Sequence, residues 1–386
     1  MDMKNVFSKI DELFNSYVSV LEDVCNIESP TTYKKGVDEV GEYCQNIAKK
    51  IGLKVEVFPQ EISGNVVVIT MNENAKGTPI AISGHMDTVH PVGSFGSPAV
   101  KIVGNKIFGP GVMDCKGGIV VGLLAMHALK ECGYTDRPIM LLLQSDEENS
   151  SITSNKATIN YICERAKGSV AFLNLEGYES YFKNFGCIER KGIMTYRFTI
   201  KGEEAHASFC AEKGASAIVE ASRKILEIEK MKDTNGVTCN VGVISGGSVP
   251  NTVPGECTFK VDVRFNNEEQ QKEVEEKFNK IASTTYLKGC TTEVELLNVR
   301  IAMPLVERNI DLINRINKVY SKYGFDALKI GKRKGGSDAA YATAYEIPCV
   351  DSLGMQGEYA HSVREEAEID SLSDSAKKIA SLIVNL

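Results

Sequence analysis

The 386-residue sequence predicts an α/β protein with a second, smaller α+β domain inserted into it. Helical and strand patterns alternate over the first half of the chain, and the continuous apolar run at 139–143 has the composition of a strand buried on both faces. From about Lys191 the order of elements changes. The length also exceeds one ordinary domain, so two domains are expected.

The larger domain is expected to be a sheet covered by helices on both faces. Its predicted helices are 5–25, 35–51, 118–130, 154–165, 309–323, 337–345 and 366–384. Its predicted strands are 54–58, 65–71, 79–83, 139–143, 169–175 and 348–352.

The inserted segment is predicted to have the ferredoxin-like order βαββαβ. Its expected elements are strand 195–201, helix 215–229, strands 238–244 and 257–265, helix 268–286 and strand 292–297. We therefore expect a discontinuous larger domain, residues 1–189 and 300–386, interrupted by residues 190–299.

Composition excludes several classes of function. The net charge of -7 and the pI near 5.5 provide no basic field for nucleic acid. The start of the chain lacks the apolar core of a secretory signal, and no apolar run reaches the roughly 18 residues of a membrane span. Eleven cysteines without a C-x-x-C pair indicate reduced, mostly buried thiols and no disulfide framework. We expect a cytoplasmic protein that acts on a small molecule or peptide.

His85 and Asp87 directly follow the apolar strand predicted at 79–83. Sites in α/β sheets form at such strand ends. Two residues apart in an extended segment, the two side chains face the same side, so the imidazole can hold a metal while the carboxylate supports it. An ordinary polar loop is the alternative.

Acidic residues occupy three further segments of this kind. Asp114 lies in a glycine-rich turn before an apolar helix, where a helix cap is the alternative. The run Asp146, Glu147 and Glu148 ends the strand at 139–143, and such acids repel each other unless a cation neutralises them. Glu176 follows the strand at 169–175.

Five nitrogen and oxygen donors, none of them cysteine, thus come from five separate segments, as in a catalytic zinc site. They are His85, Asp114, Glu148, Glu176 and His361. Three of these five groups are carboxylates. Without cations to compensate their charges, crowding them in a largely buried cleft would cost several kcal/mol per ion.

In this order the motifs resemble the glutamate carboxypeptidase and aminoacylase family of two-zinc metallopeptidases, over nearly the whole chain. The resemblance implies a zinc-peptidase-like α/β/α catalytic domain with an inserted lid and dimerisation domain. It implies two zinc ions per subunit, with manganese or cobalt as alternatives. The implied roles are His85 and Glu176 on one ion, Glu148 and His361 on the other, Asp114 bridging both, Glu147 as general base and Asp87 supporting His85. A cis peptide after Asp114 is implied as well.

Further matches lie outside the metal ligands. The segment around His206 is similar to the family segment whose histidine reaches the active site of a neighbouring subunit, which implies a homodimer; a surface histidine is the alternative. Asn251 and Arg264 resemble family residues that bind the substrate carboxylate. For Arg264, the alternative is a position on a solvated face of the sheet. Gly335 and Gly336 form a turn that can bring backbone N–H groups to a carboxylate. The alternative is a plain helix cap.

Two histidines receive no catalytic role. His127 lies in the apolar helix predicted at 118–130 and is expected to be a core or interface residue, and His90 is assigned no role.

Three functions remain open at this point. Glutamate rather than aspartate at position 176 resembles the carboxypeptidase and deacylase members and not the di- and tripeptidase members. The first function is release of a C-terminal amino acid such as glutamate. N-deacylation, as by acetylornithine deacetylase, succinyl-diaminopimelate desuccinylase or aminoacylase, uses the same bond chemistry. A metal-free, catalytically silent binding protein is the third, and the retention of Glu147 and all ligands argues against it.

Overall fold

The computed structural model describes residues 1–233 and 236–386, which form two compact units. Unit 1 comprises Met1–Ile188, Leu305–Lys332 and Ser337–Leu386, and unit 2 comprises Glu189–Pro304 and Arg333–Gly336. The second boundary lies later than the predicted residue 300. Met303 exchanges two backbone hydrogen bonds with Arg190, of 2.9 and 3.0 Å, and this keeps the segment in unit 2.

The first part of the chain contains the elements of unit 1 that precede unit 2, including strands of its main sheet. They are α1 (Met3–Asn26), α2 (Lys34–Lys50), β1 (Lys54–Phe58), β2 (Val66–Met71), β3 (Ile80–His85), β4 (Lys101–Val103), β5 (Lys106–Phe108), α3 (Lys116–Glu131), β6 (Ile139–Gln144), α4 (Ala157–Ala166), β7 (Phe172–Asn174) and β8 (Phe185–Arg190).

The elements of unit 2 follow. They are β9 (Gly192–Lys201), β10 (Ala205–His206), α5 (Ala217–Glu229), β11 (Thr238–Gly246), β12 (Thr252–Val253), β13 (Glu256–Phe265), α6 (Glu268–Ser283) and β14 (Thr291–Arg300).

The chain then returns to unit 1, except that residues 333–336 belong to unit 2. Its elements are α7 (Glu307–Tyr323), β15 (Lys329–Arg333), α8 (Ala339–Ala344), β16 (Cys349–Val350), β17 (Gly357–Glu358), β18 (Glu366–Glu368) and α9 (Asp370–Asn385). The helix predicted at 366–384 is therefore wrong at its start, because residues 366–368 pair with β5 as a strand. The strand predicted at 348–352 shrinks to two residues.

The main sheet of unit 1 has the strand order β1-β2-β6-β3-β7-β16. Strand β3 runs parallel to both β6 and β7, with His85 opposite Gln144. Every residue of β2, β3, β6 and β7 is buried, which accounts for their nearly continuous apolar composition. Three adjacent parallel strands therefore end at one edge, and the loops that follow them meet there.

A second sheet of unit 1, with the order β17-β18-β5-β4, was not predicted. Its strands are two or three residues long and too short to show an alternating pattern. Strand β5 leads into the turn that contains Asp114, and the connection between β17 and β18 contains His361. This sheet therefore brings two predicted ligand segments together.

Unit 2 contains a four-stranded sheet in the order β11-β13-β9-β14, the ferredoxin-like order that the sequence predicts. Its core includes Phe198, Phe259 and Phe278, with the first two rings stacked at 4.8 Å. Strands β10 and β12 form a separate two-stranded ribbon.

The eleven cysteines are all free thiols, and only Cys132 and Cys210 are not buried, as predicted. Among the described residues, no helix is both long and apolar enough to span a membrane.

Candidate metal centre

Asp114 lies between two histidines that come from distant segments of unit 1. Its Oδ1 is 3.1 Å from Nε2 of His85, and its Oδ2 is 3.2 Å from Nε2 of His361. His85 ends β3, and Asp114 belongs to the turn after β5. Each carboxylate oxygen thus faces a different imidazole, which is the arrangement of a carboxylate that bridges two cations.

A glutamate completes each half of this cluster. Oε1 of Glu176 lies 3.7 Å from Nε2 of His85, and Oε2 of Glu148 lies 3.2 Å from Nε2 of His361. Ligand atoms placed tetrahedrally at the usual Zn–N and Zn–O distances would be about 3.3 Å apart. The contacts of Asp114 and Glu148 with the two histidines are close to this spacing, so the nitrogen and oxygen donors around Asp114 fit a metal ion such as zinc.

The carboxylates of this cluster are electrostatically strained without cations. Burial and the nearby charge of Asp114 raise the pKa of Glu148 to about 8, and the same two causes raise the pKa of Glu176. Burial also acts to raise the pKa of Asp114, but the hydrogen bonds of His361 and His85 outweigh it and hold that pKa well below its ordinary value. Cations would remove this mutual repulsion.

Nδ1 of His85 lies 2.9 Å from the backbone carbonyl oxygen of Asp87 and 3.4 Å from its Oδ1. Since a carbonyl oxygen only accepts, Nδ1 is the protonated nitrogen. With a cation bound, Nε2 would be the nitrogen that offers its lone pair, beside Asp114 and Glu176. The sequence predicts support from the side chain of Asp87, and the backbone carbonyl supplies the shorter contact.

The carboxylate of Asp87 instead holds the segment with Glu147 and Glu148. Its Oδ1 accepts the backbone N–H of Glu147 at 3.1 Å, and its Oδ2 accepts the backbone N–H of Glu148 at 3.1 Å. The hydroxyl of Thr31 also donates to Oδ2, at 2.7 Å. Asp87 is fully buried, so three hydrogen bonds stabilise its charge.

The geometry of the acidic run differs from the prediction. The sequence predicts that the run Asp146 to Glu148 ends an extended strand, but β6 ends at Gln144 and residues 147–150 form a turn. Asp146 lies apart from the ligands: it accepts from the N–H of Ser154 at 2.9 Å and from the hydroxyl of Thr158 at 2.6 Å. It stabilises the start of α4.

A buried thiol also lies beside the cluster, although the predicted donor set contains no cysteine. Sγ of Cys115 is within 4.8 Å of donor atoms of His85 and Glu176. It donates to the carbonyl of Leu175 at 3.2 Å, and burial raises its pKa well above the ordinary value. Both features keep the sulfur protonated, which disfavours metal ligation. The Asp114–Cys115 peptide bond is cis, as the resemblance implies.

Glu365, which the sequence analysis did not single out, is fully buried beside the Asp114 turn. It accepts the backbone N–H groups of Gly111, Met113 and Asp114 at 3.0 to 3.1 Å. Nε2 of His90, to which no role was assigned, lies 3.0 Å from the same carboxylate. Nothing in the local sequence distinguishes this glutamate from its neighbours. His127 is half-buried and lies 3.1 Å from the Tyr17 hydroxyl, as expected of a core histidine.

His206 and Asn251 lie together in unit 2. His206 pairs with Thr252 in the β10–β12 ribbon, and the carbonyl of Asn251 accepts the N–H of Ala207 at 2.9 Å. Nδ1 of His206 accepts the backbone N–H of Ser208 at 3.3 Å. A backbone N–H only donates, so Nδ1 accepts this bond and the exposed imidazole carries its proton on Nε2, which is then a hydrogen-bond donor.

Two arginines share one face of the sheet in unit 2. Arg264 on β13 and Arg300 on β14 both lie opposite Ile193 of β9, which puts the three side chains in one row. Arg264 binds Asp262 at 2.8 and 3.1 Å, whereas Arg300 is only 4% exposed. Arg300 was not predicted as a substrate-binding residue, because its neighbours on β9 and β13 are far away in sequence.

The predicted glycine turn lies against the second of these arginines. A Cβ at Gly336 would be 2.3 Å from Cδ of Arg300, so only glycine fits there without a shift. Arg190 donates to the carbonyls of Gly335 and Gly336 at 3.1 and 3.3 Å. Helix α8 begins only at Ala339, and the side chain of Asp338 does not cap it. Oγ of Ser337 in the same segment accepts the backbone N–H of Ala339 at 3.1 Å, so a helix cap stays the alternative for this turn.

Both parts of this chain match known peptidase families. Residues 188–290 match the family "Peptidase dimerisation domain", and residues 65–224 match "Peptidase family M28". The chain is similar to carboxypeptidase G2 of Pseudomonas sp. (strain RS-16), with 28% identity over 376 residues that cover 96% of this chain and 89% of that protein. The chain is thus similar to members of the M20 peptidase family over nearly its whole length. This is the family that the motif order predicted.

Other relatives and solved structures agree. Succinyl-diaminopimelate desuccinylase of Rickettsia felis is 24% identical over 379 residues, covering 92% of this chain and 96% of that protein. A tripeptidase from Staphylococcus aureus superposes with a TM-score of 0.78 at 22% identity, covering 95% and 96% of the two chains. A metallo-carboxypeptidase from Sulfolobus solfataricus gives 0.75 at 16% identity, covering 96% and 98%. These two structures support the fold. In keeping with these relatives, the protein is an enzyme of the metallopeptidase and amidohydrolase class.

Proposed function

We propose that this protein is a two-metal hydrolase that cleaves an amide bond adjacent to a free carboxylate, releasing a C-terminal amino acid such as glutamate. The observation that carries the proposal is the position of Asp114, whose two oxygens each face a different histidine. A single structural ion would need only one such set of donors.

Each ion would have its own pair of ligands besides the shared Asp114. His85 and Glu176 would hold one, and Glu148 and His361 the other; zinc fits this donor set, and manganese and cobalt are the alternatives. When bound, the pair of cations would lower the pKa of a water molecule and polarise the scissile carbonyl.

Glu147 is the residue of this segment left for proton transfer, because Glu148 faces His361 and Asp146 binds the start of α4. Its backbone is fixed by Asp87 and its side chain is 5% exposed. We assign Glu147 as the general base that takes a proton from the attacking water and passes it to the leaving amine.

His206 would stabilise the developing oxyanion, since its Nε2 carries the proton and its Nδ1 is held by Ser208. We propose that it acts in the active site of a second subunit. Strand β11 ends the sheet of unit 2, and Val243 and Ile244 on it are 59% and 53% exposed. An apolar edge strand is suited to pair with its copy in a homodimer, and the match to a peptidase dimerisation domain supports this.

Carboxylate recognition is assigned to Arg264 and Arg300 of unit 2. Guanidinium groups bind carboxylates through paired, charge-assisted hydrogen bonds. Asn251 and the turn at Gly335 and Gly336 are assigned to the same substrate. Two arginines in one row suit a substrate with more than one carboxylate, such as a peptide or acyl derivative of glutamate.

An N-acyl-amino-acid deacylase is the second candidate. The relatives include a desuccinylase, and the bond, metals and base would be the same. Carboxypeptidase action is preferred because carboxypeptidase G2 has the higher identity of the two, 28% against 24%. The complete donor set disfavours a catalytically silent binding protein. A cytoplasmic location stays a prediction.

The test is Glu147→Gln beside Asp146→Asn. Glu147→Gln should keep both metals and lower kcat by roughly 10²-fold or more, the contribution of a positioned base. Asp146→Asn is a matched control, since it changes the adjacent buried acid, which binds only Ser154 and Thr158 among the contacts described. It should lower stability and leave kcat near the wild-type value. Equal kcat in Glu147→Gln and wild type, with metal retained, would exclude Glu147 as the base.

A further inference from the structure

The carboxylate of Glu365 makes four hydrogen-bonding contacts in a fully buried position. Oε1 accepts the backbone N–H groups of Met113 and Asp114, both at 3.0 Å. Oε2 accepts the backbone N–H of Gly111 at 3.1 Å and lies 3.0 Å from Nε2 of His90. All four partners can donate, so the site is built for an acceptor on both oxygens.

The backbone of Glu365 fixes the same turn. Its carbonyl accepts the N–H of Gly109 at 3.2 Å, and the next residue, Glu366, pairs with Phe108 of β5. Side chain and main chain together therefore hold the turn from Gly109 to Asp114. The bond to the N–H of Asp114 fixes the backbone from which its side chain projects toward His85 and His361.

Glu365 also connects the three segments that carry histidine and aspartate donors. It lies in the connection between β17 and β18 that contains His361. His90, its partner, follows His85 in the same loop, and the ring of His90 packs edge-on against Phe95 at 4.9 Å. One buried carboxylate thus joins the His85 loop, the Asp114 turn and the His361 connection.

We propose that Glu365 is a positioning residue that sets the orientation of Asp114 relative to His85 and His361, with His90 as its partner. The inference rests on the proposed two-metal function and adds a residue that touches neither metal nor substrate. Replacing such outer partners typically weakens metal binding by about 10- to 100-fold.

Glu365→Gln isolates the electrostatic part of this role. The amide keeps the length and one acceptor oxygen, but its NH₂ group cannot accept from Gly111. We expect it to bind Co²⁺ about 10- to 100-fold more weakly than wild type, with a changed visible d–d spectrum. Glu365→Asp, which keeps the charge on a shorter side chain, is the second variant if the amide does not fold.

Glu220→Gln in unit 2 is the matched control. Glu220 is also a buried glutamate, 1% exposed, that accepts backbone N–H groups, from Tyr286 and Leu287. Its replacement should lower the thermal unfolding temperature and leave the Co²⁺ affinity and spectrum unchanged, because its hydrogen bonds are to residues of unit 2 and to none of the proposed ligand segments.

The experiment titrates metal-free protein with Co²⁺ and records absorption, together with thermal unfolding of each metal-free variant. Weaker binding and an altered spectrum in Glu365→Gln or Glu365→Asp, with Glu220→Gln unchanged, support the proposal. Wild-type affinity and spectrum in both Glu365 variants overturn it, as does an equal loss in Glu220→Gln. If wild-type protein binds no Co²⁺ at all, the proposed function itself fails, and this inference fails with it.

Discussion

The backbone N–H of Glu147 donates a hydrogen bond of 3.1 Å to Oδ1 of Asp87. The residue that orients His85 through its carbonyl therefore also fixes the segment with the proposed base. Two of the three parallel strand ends that form the site are joined by this one buried side chain.

Asp87→Asn should therefore disturb both the orientation of His85 and the position of the segment with Glu147. Asparagine has a single side-chain acceptor oxygen, so one of the N–H groups of Glu147 and Glu148 faces an NH₂ group. We expect kcat or metal affinity to fall about 10- to 100-fold. Thr31→Val removes only the hydroxyl bond to Oδ2 and should change both far less. Metal titration and steady-state kinetics measure the two quantities, and wild-type values for Asp87→Asn would contradict this role.

The contact between Gly336 and Arg300 predicts a change in substrate affinity. Gly336→Ala would place Cβ 2.3 Å from Cδ of Arg300 and push the arginine aside. A hydrogen bond to a charged group contributes about 1.5–3 kcal/mol, so KM should rise by about 10-fold or more while kcat stays similar. Gly335→Ala is the control: it keeps the backbone N–H groups that are assigned to the substrate, and its Cβ would lie 3.9 Å from Nη1 of Arg190. An unchanged KM in Gly336→Ala would argue against Arg300 as a carboxylate ligand.

Metal binding should release protons. Burial and Asp114 raise the pKa of Glu148 to about 8, and hydrogen bonds to Asp114 and Glu148 raise the pKa of His361 to about 11. Both groups therefore carry protons in the metal-free protein near neutral pH and must lose them to bind a cation. Affinity should rise with pH up to about 8, and the metal-free protein should lose stability over the same range as Glu148 ionises.

Calorimetric titration in two buffers of different ionisation enthalpy measures this release. The apparent binding enthalpy should differ between the buffers in proportion to the protons released. Identical enthalpies would show that Glu148 and His361 are not protonated ligands of the cation.

The sequence was most informative where a polar ligand follows a buried strand. His85 and Glu176 could be predicted because β3 and β7 are continuous apolar strands with a donor just after or at the end. Glu365 and Arg300 could not, since each acts through contacts with residues far away in the chain. The turn at 147–150 was not predicted for a different reason: the hydrogen bonds that its backbone N–H groups donate to Asp87, rather than strand propensity, decide its shape.

Mixed dimers test whether His206 acts across subunits. His206→Ala and Glu147→Gln homodimers should both be nearly inactive, because losing an oxyanion donor costs about 10²- to 10³-fold in kcat. Refolded together in equal amounts, the two should form about half heterodimers, each with one intact site, and recover roughly a quarter of wild-type activity. Sedimentation of the wild type shows first whether a dimer forms. If the mixture stays inactive although heterodimers are present, His206 acts within its own chain.

The most direct test of the central claim combines metal content with one matched pair of substrates. Purified protein is loaded with zinc, its metal is counted, and hydrolysis of an N-acyl glutamate or a peptide ending in glutamate is compared with that of the corresponding α-amide. We predict two ions per subunit and cleavage of the substrate with the free α-carboxylate only, with no cleavage after treatment with a chelator. Cleavage that survives complete metal removal, or equal cleavage of the α-amide, would contradict the account.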